Sequence, residues 1–366
     1  MVEHKQVNST KQEVTVEEEK KKYQKILAKR LLFIAVSVVS LIIVAGVALS
    51  LGSANMTFLD AYAAVFARFF PSWFNVPSLA YTVVWTLRLP RILLAIGAGA
   101  ALAMGGCSTQ AILRNPMATP YTLGVSAGAG LGASIGIIFG TNLLGGSSDF
   151  SIIINAFIFS LIPIVVILLL VKRKGASPEI MILAGVAMVY IFNACTTILK
   201  YFANSDAVAA TVFWVVGDLS RAAWYQLPYV FGVLILCFGV NLWLAWDVNT
   251  MKLGDDTAKS LGVEVDRTRR ISLIASCLST ATVVAFTGAI GFICLGAPRI
   301  CRAFLGSDQK VLLVGSALVG SILLLVADIV ARRLLAPIVL PVGAITACLG
   351  GPLLLYLLIK RKSNRQ

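Results

Sequence analysis

The chain alternates between long apolar stretches and short charged loops. At least nine stretches of roughly 18–22 residues recur, about the length a helix needs to cross a hydrocarbon core. The first, Leu31 to Leu51, carries no charge in 21 residues. Inside lipid every backbone N–H and C=O must find a partner within the protein, so such runs predict membrane helices. The pattern predicts ten spans, at 31–51, 92–113, 121–140, 151–171, 179–199, 226–246, 271–289, 291–306, 311–331 and 338–359. The span at 291–306 is short and holds Arg299 and Arg302, and 205–218 is an extra apolar stretch too short to cross. The expected fold is an all-α polytopic membrane protein with about ten transmembrane helices, permease domain 31–360.

Residues 1–30 are a different material, with the mixed-charge run Glu17 to Lys22. They lack the short charged start and the small-residue cleavage site of a signal peptide and read as a cytoplasmic tail. Residues 361–366 read as a second one. With the N-terminus inside, 24 of the 31 Lys and Arg fall on the cytoplasmic side and 7 on the other. Lys and Arg concentrate in cytoplasmic loops, so the expected topology puts both termini in the cytoplasm and the protein in the cytoplasmic (inner) membrane.

Composition agrees: 58% of residues are hydrophobic and 13% charged, where a soluble domain carries about 25% charged residues. The net charge of +14 is spread between apolar spans, which excludes a phosphate-binding face and a nucleic-acid partner. Seven cysteines make no C-x-x-C pair and read as apolar packing residues. The only histidine is His4, which removes a His-ligated metal site.

The third span carries Gly124, Gly128, Gly132, Gly136 and Gly140, every fourth residue. On a helix this leaves a groove where a neighbouring backbone can approach closely. Gly97, Ala101 and Gly105 repeat the idea in the second span.

Several segments resemble the permease subunits of bacterial and archaeal ABC importers for cobalamin, ferric siderophores and haem, the FecCD-type family of type II importers. The first runs from Leu87 to Ser126, with Arg88–Arg91 (RLPR), Gln110, Asn115–Pro116 and Leu123–Ser126 in order. The second is LGDDTAKSLG, Leu253 to Gly262. The third, from Gly288 to Lys360, contains GAIGF, Ala297–Arg302, Leu305–Asp308, ADIVAR at Ala327–Arg332 and LPVGAITACLGGPLLLYLL at Leu340–Leu358. Trp214, Gly217 and Trp224 match more loosely. The chain departs from the family at Arg299, where His is usual, and at Cys294, where glycine is common. A permanent cation therefore replaces a group able to shed its charge.

The resemblance implies ten helices per subunit, a homodimer in membrane lipid, an ATP-binding cassette subunit on the cytoplasmic side and a substrate-binding protein outside. The chain has no G-x-x-x-x-G-K-[ST] to cradle nucleotide phosphates. It is therefore expected to be no enzyme and to bind no cofactor, with ATP–Mg at the partner subunit. The loop 247–270 would receive the ATPase through a short coupling helix between Gly254 and Gly262. Asp255 and Asp256 suit its first turn, small Ala258 and Ser260 would let it seat in a groove, and Leu261 closes the motif.

On the opposite side, Arg88 and Arg91 share a helical face three residues apart. With Arg332 they are expected, by the resemblance, to receive glutamates of the binding protein, which planar guanidinium groups suit. The alternatives are anchoring at the head groups and, for Arg332, an intrahelical pair with Asp328. The resemblance places the substrate path near the fifth span and 205–218, with Asn193, Thr197, Tyr201 and Asn204 as candidates. The expected cargo is a metal chelate, ferric siderophore first and haem or cobalamin next. A secondary carrier driven by an ion gradient is the rival, and it calls for intramembrane acids or inverted half-helices that the sequence does not display.

Overall fold

Each of the ten predicted spans coincides with a helix. The computed structural model describes residues 2–51, 57–74, 76–140 and 149–363, with side chains from 20 to 352 apart from 58, 149 and 174. In chain order the helices are α1 (Val2–Ser50), α2 (Phe58–Phe66), α3 (Ser78–Thr82), α4 (Leu89–Ile112), α5 (Val125–Phe139), α6 (Asp149–Lys174), α7 (Pro178–Phe202) and α8 (Ser205–Val215). They continue with α9 (Leu227–Trp243), α10 (Ala245–Met251), α11 (Asp255–Ser260), α12 (Val265–Thr287), α13 (Ile293–Leu305), α14 (Gln309–Arg333) and α15 (Val342–Ser363). No strand forms among the described residues. A π-helical turn, Val83–Arg88, leads into α4. Pro90 in the first turn of α4 has no N–H to continue a regular ladder into the preceding residues.

Seven helical segments among the described residues are long and apolar enough to cross a membrane, so the chain is a multi-pass membrane protein. The expectation of a full-length span is corrected at α5, while α13 is short as the sequence reads. Helix α13 has 13 residues and α5 has 15, both short of the roughly 20 a full crossing takes. In α5 the cause is the glycine series itself. Gly124 (φ 96°) and Gly140 (φ 64°) adopt left-handed conformations that L side chains avoid and serve as the two ends of the helix. The middle three face α6 as the spacing predicts: a Cβ at Gly128 or Gly132 would meet the carbonyls of Phe159 or Asn155, and one at Gly136 the Cα of Ile152.

Helix α4 is the axis of the bundle, its most apolar stretch 89% buried against 11% for α1. Small residues let it take a neighbour on every side. Gly97 faces Val230 and Phe231 of α9, Gly99 the backbone of α14 at Gly320, Gly105 Ser276 and Thr280 of α12, and Gly106 the carbonyl of Cys294 in α13. A second body of helices gathers on α5, with Leu131 packing against Met188 and Phe192 of α7. Five cysteines are buried as packing residues, whereas Cys195 and Cys348 are exposed.

Candidate functional site

Two polar clusters occupy opposite ends of the α4–α14 pair. These helices run antiparallel, so the start of α4 meets the end of α14, and the 24 residues of α4 separate the clusters by about 36 Å.

The arginine end is built on the last turn of α1. A helix leaves its final carbonyls without partners, and here Ala48, Leu49 and Ser50 are buried. Two arginines distant in sequence supply the donors. Arg88 Nη1 donates to the carbonyls of Leu49 (2.6 Å) and Ser50 (3.0 Å). Arg332 donates to those of Leu51 (2.7 Å) and Ala48 (3.2 Å). Cations also suit the negative end of a helix dipole. Asp328, fully buried, accepts from Arg91 Nε at 2.8 Å and lies 3.0 Å from Arg332 Nε. The intrahelical Arg332–Asp328 pair read from the spacing is therefore present. Arg91 Nη1 also donates to Ser220 Oγ at 3.1 Å.

The three sequence-predicted arginines do converge, but Arg88 and Arg332 are buried and already bonded to α1. Arg91 is nearly as enclosed, its side chain 11% exposed against 9% for Arg332, and only its Nη1, bonded to Ser220, lies at the surface. Sequence reasoning had no access to the capping role, because the carbonyls lie 38 to 39 residues from Arg88 and 281 to 284 from Arg332.

The loop end centres on α11, bracketed as expected by Gly254 (φ 125°) and Gly262 (φ 84°), conformations that favour glycine. Its faces differ from the expectation. Ala258 is fully buried against Met251, Val263 and Val265 of its own loop, so it belongs to the inner face and not to a docking groove. The outward face carries Asp256, Thr257, Lys259 and Ser260, flanked by exposed Leu253 and Leu261. Of the two first-turn acids, Asp256 is exposed while Asp255 turns inward to Arg114 and Arg269.

Arg269 and Arg114 are functional candidates the motif search missed. Arg269, on the fifth residue of α12, is 1% exposed. Its Nε donates to the Ile112 carbonyl (3.1 Å), its Nη1 to the Ala176 carbonyl, and its Nη2 to both Asp255 oxygens (2.9 and 3.2 Å). Helical spacing puts Arg269 on the face of Val265, Thr268, Ser272, Leu273 and Ser276, all buried, but three of these five are polar, so no apolar stripe marks that face in the sequence. Burial and the neighbouring charge of Arg269 lower the Arg114 pKa from its ordinary value.

A second set of bonds joins the loop to the turn between α13 and α14. Lys252 Nζ donates to the Ser307 carbonyl and to Gln309 Oε1 (3.2 Å). Asn249 Nδ2 donates to Asp308 Oδ1 (3.1 Å), and Arg30 pairs with Asp308 at 3.2 Å. Burial lowers the Lys252 pKa from its ordinary value.

The path candidates lie on α7 and α8. Asn193, Thr197 and Tyr201 are exposed, on a face of α7 that no described helix covers. Thr197 Oγ1 donates to the Asn193 carbonyl at 2.9 Å. Asn204 is also exposed, but its Oδ1 caps α8 by accepting from the Ala207 N–H at 2.8 Å.

Comparison with known proteins supplies what geometry alone does not. The chain is 35% identical over 320 residues to the hemin transport system permease protein HmuU of Yersinia pestis, covering 87% of this chain and 94% of the relative. It is 37% identical over 293 residues to the cobalamin import system permease protein BtuC of Halobacterium salinarum, covering 80% and 77%. A solved structure described as an inward-facing metal-chelate type ABC transporter superposes with a TM-score of 0.78 at 28% identity, covering 89% of this chain and 98% of that one. Residues 39–360 match the FecCD transport family. That stretch takes in both polar clusters and the helices that join them, and the chain belongs to the FecCD transport family.

Proposed function

We propose that this chain is the translocation subunit of an ATP-driven importer for a metal chelate, a ferric siderophore first and haem or cobalamin next. The observation that carries the reading is α11 within a FecCD chain. One face is bonded into the bundle, and the other presents Asp256 between Leu253 and Leu261. That outward face would seat on a separate ATP-binding cassette subunit holding ATP–Mg. The excess of Lys and Arg in the loops on that side supports placing it, with both termini, in the cytoplasm.

At the arginine end one carboxylate, Asp328, is shared by Arg91 and Arg332, so this group keeps a positive surplus. That surplus would draw acidic residues of a substrate-binding protein, with Arg91 nearest the contact and the two buried arginines acting through their field. The uncovered face of α7 fits pairing of two copies around a passage lined by Asn193, Thr197 and Tyr201, with Asn204 at its end. A gradient-driven carrier has less support. The one fully buried acid among the described residues, Asp328, is held by two arginines and is not poised to take up protons.

The test is uptake into proteoliposomes containing the permease, its ATPase and its binding protein. Radiolabelled ferric siderophore, haem and cyanocobalamin are offered separately. Uptake that requires ATP and survives collapse of the proton and sodium gradients is expected. Uptake that proceeds without the ATPase subunit on an ion gradient would overturn the assignment.

A further inference from the structure

Arg269 is a permanent cation with almost no exposure, and it bonds three segments at once: the end of α4 through Ile112, the α6–α7 turn through Ala176, and α11 through Asp255. The apolar contacts of α11 are of another kind. Ala258 packs on Met251, Val263 and Val265, all within the loop itself. Beyond that contact with Val265 at the start of α12, the side-chain bonds that tie α11 to the bundle converge on Asp255, which also takes Arg114 at the end of α4. Arg114 holds φ 48°, a conformation L side chains seldom adopt, so the end of α4 is shaped to reach that carboxylate.

We propose that Arg269 is a positioning residue that transmits displacement of α11 to the end of α4 and the start of α7. This rests on the coupling role proposed for α11 and deepens it. A rigid fork suits the task, because the planar guanidinium fixes three acceptors in one geometry. If a partner shifts α11, the Asp255 carboxylate moves. The fork then carries the carbonyls of Ile112 and Ala176 with it, or gives up bonds inside a buried site. Two residues beyond Ala176, α7 begins, and its uncovered face holds Asn193, Thr197 and Tyr201. Lysine would keep the charge beside Asp255 but has one ammonium in place of the fork and cannot hold all three acceptors in the same plane.

The experiment uses the assembled complex of permease and ATPase in lipid nanodiscs. Spin labels sit at Leu183→Cys on α7 and Leu236→Cys on α9, both exposed positions, with exposed Cys195 and Cys348 changed to Ser. Distances are measured without nucleotide and with Mg-ATP and vanadate. The parent is expected to show a nucleotide-driven shift between the labels. Arg269→Lys is expected to keep ATPase assembly and hydrolysis within about twofold while losing that shift, since a coupling element fails without either site failing.

Asp255→Asn, at a side chain 32% exposed, removes the charge and one of the two acceptors at the α11 end of the link and leaves the carbonyl bonds. It is expected to behave alike and serves if Arg269→Lys does not fold. Combining the two changes should be no worse than either alone. A shift of parent size in Arg269→Lys or Asp255→Asn, no shift in the parent, or loss of the shift only together with release of the ATPase overturns the proposal. Leu261→Asp on the outward face separates the two readings: if that variant still binds the ATPase and shifts normally, the coupling assignment of α11 fails on its own.

Discussion

The arginine end and the loop end apply the same chemistry to opposite purposes. Each aims guanidinium groups at the backbone carbonyls of a helix end and ties them to a carboxylate. At the arginine end the carboxylate is Asp328, fully buried on the 25-residue α14, and the carbonyls belong to α1. Apart from Ser220 in the turn after α8, the partners there sit on long helices or directly at their ends, so the cluster is a lock. At the loop end the carboxylate is Asp255, a third exposed on the six-residue α11, which packs on its own loop. That cluster is a link between a short outlying helix and the bundle. Whether a buried arginine locks or links depends on the rigidity of the element bearing its acid.

The comparison breaks first at Asp328. Asp328→Asn should remove about 3–5 kcal/mol of stability, because it leaves Arg91 and Arg332 as uncompensated buried charges. Thermal unfolding of the detergent-solubilised protein measures it, and a parent-like melt would mean the cluster is no lock. Gly132→Leu provides a yardstick away from both ends. Its side chain meets the α6 backbone at Asn155, and overpacking should cost about 1–3 kcal/mol or more. It should leave ATPase binding unaltered at temperatures where the protein stays folded, so stability loss by itself is not read as uncoupling.

Asp255→Asn should lower the melt less than Asp328→Asn, since Asp255 is a third exposed and the buried Arg269 keeps its two carbonyl bonds. Its effect belongs in the transmission of nucleotide state, and a melt as damaged as that of Asp328→Asn would erase the distinction between link and lock. The smallest change is expected for Arg221→Glu, an exposed residue near the arginine end. It should weaken pull-down of the binding protein by no more than about fivefold, the size of a rim charge. Arg91→Glu should weaken it more, and the Arg88→Glu, Arg91→Glu double variant most of all. Indistinguishable pull-down by the parent and all three variants would remove docking from that end. The melt of each variant is followed in parallel, because Arg88→Glu also uncaps α1.

What the sequence by itself determined was local and periodic. Apolar runs located a helix at each of the ten predicted spans, the four-residue glycine spacing pointed to a face in close contact, and Gly254 with Gly262 delimited α11, because each of these is decided within a few residues of chain. The tertiary structure decided where one-dimensional patterns end. Gly124 and Gly140 became helix ends once α5 stopped at 15 residues. Ala258 turned inward because Val263 and Val265 fold back beneath it. Arg88 and Arg332 became caps of α1, and Arg269 acquired Ile112 and Ala176, across separations of 38 to 284 residues. A buried guanidinium takes whichever acceptors the packing brings within hydrogen-bond reach, and that proximity is set by how helices cross, which no spacing along the chain encodes.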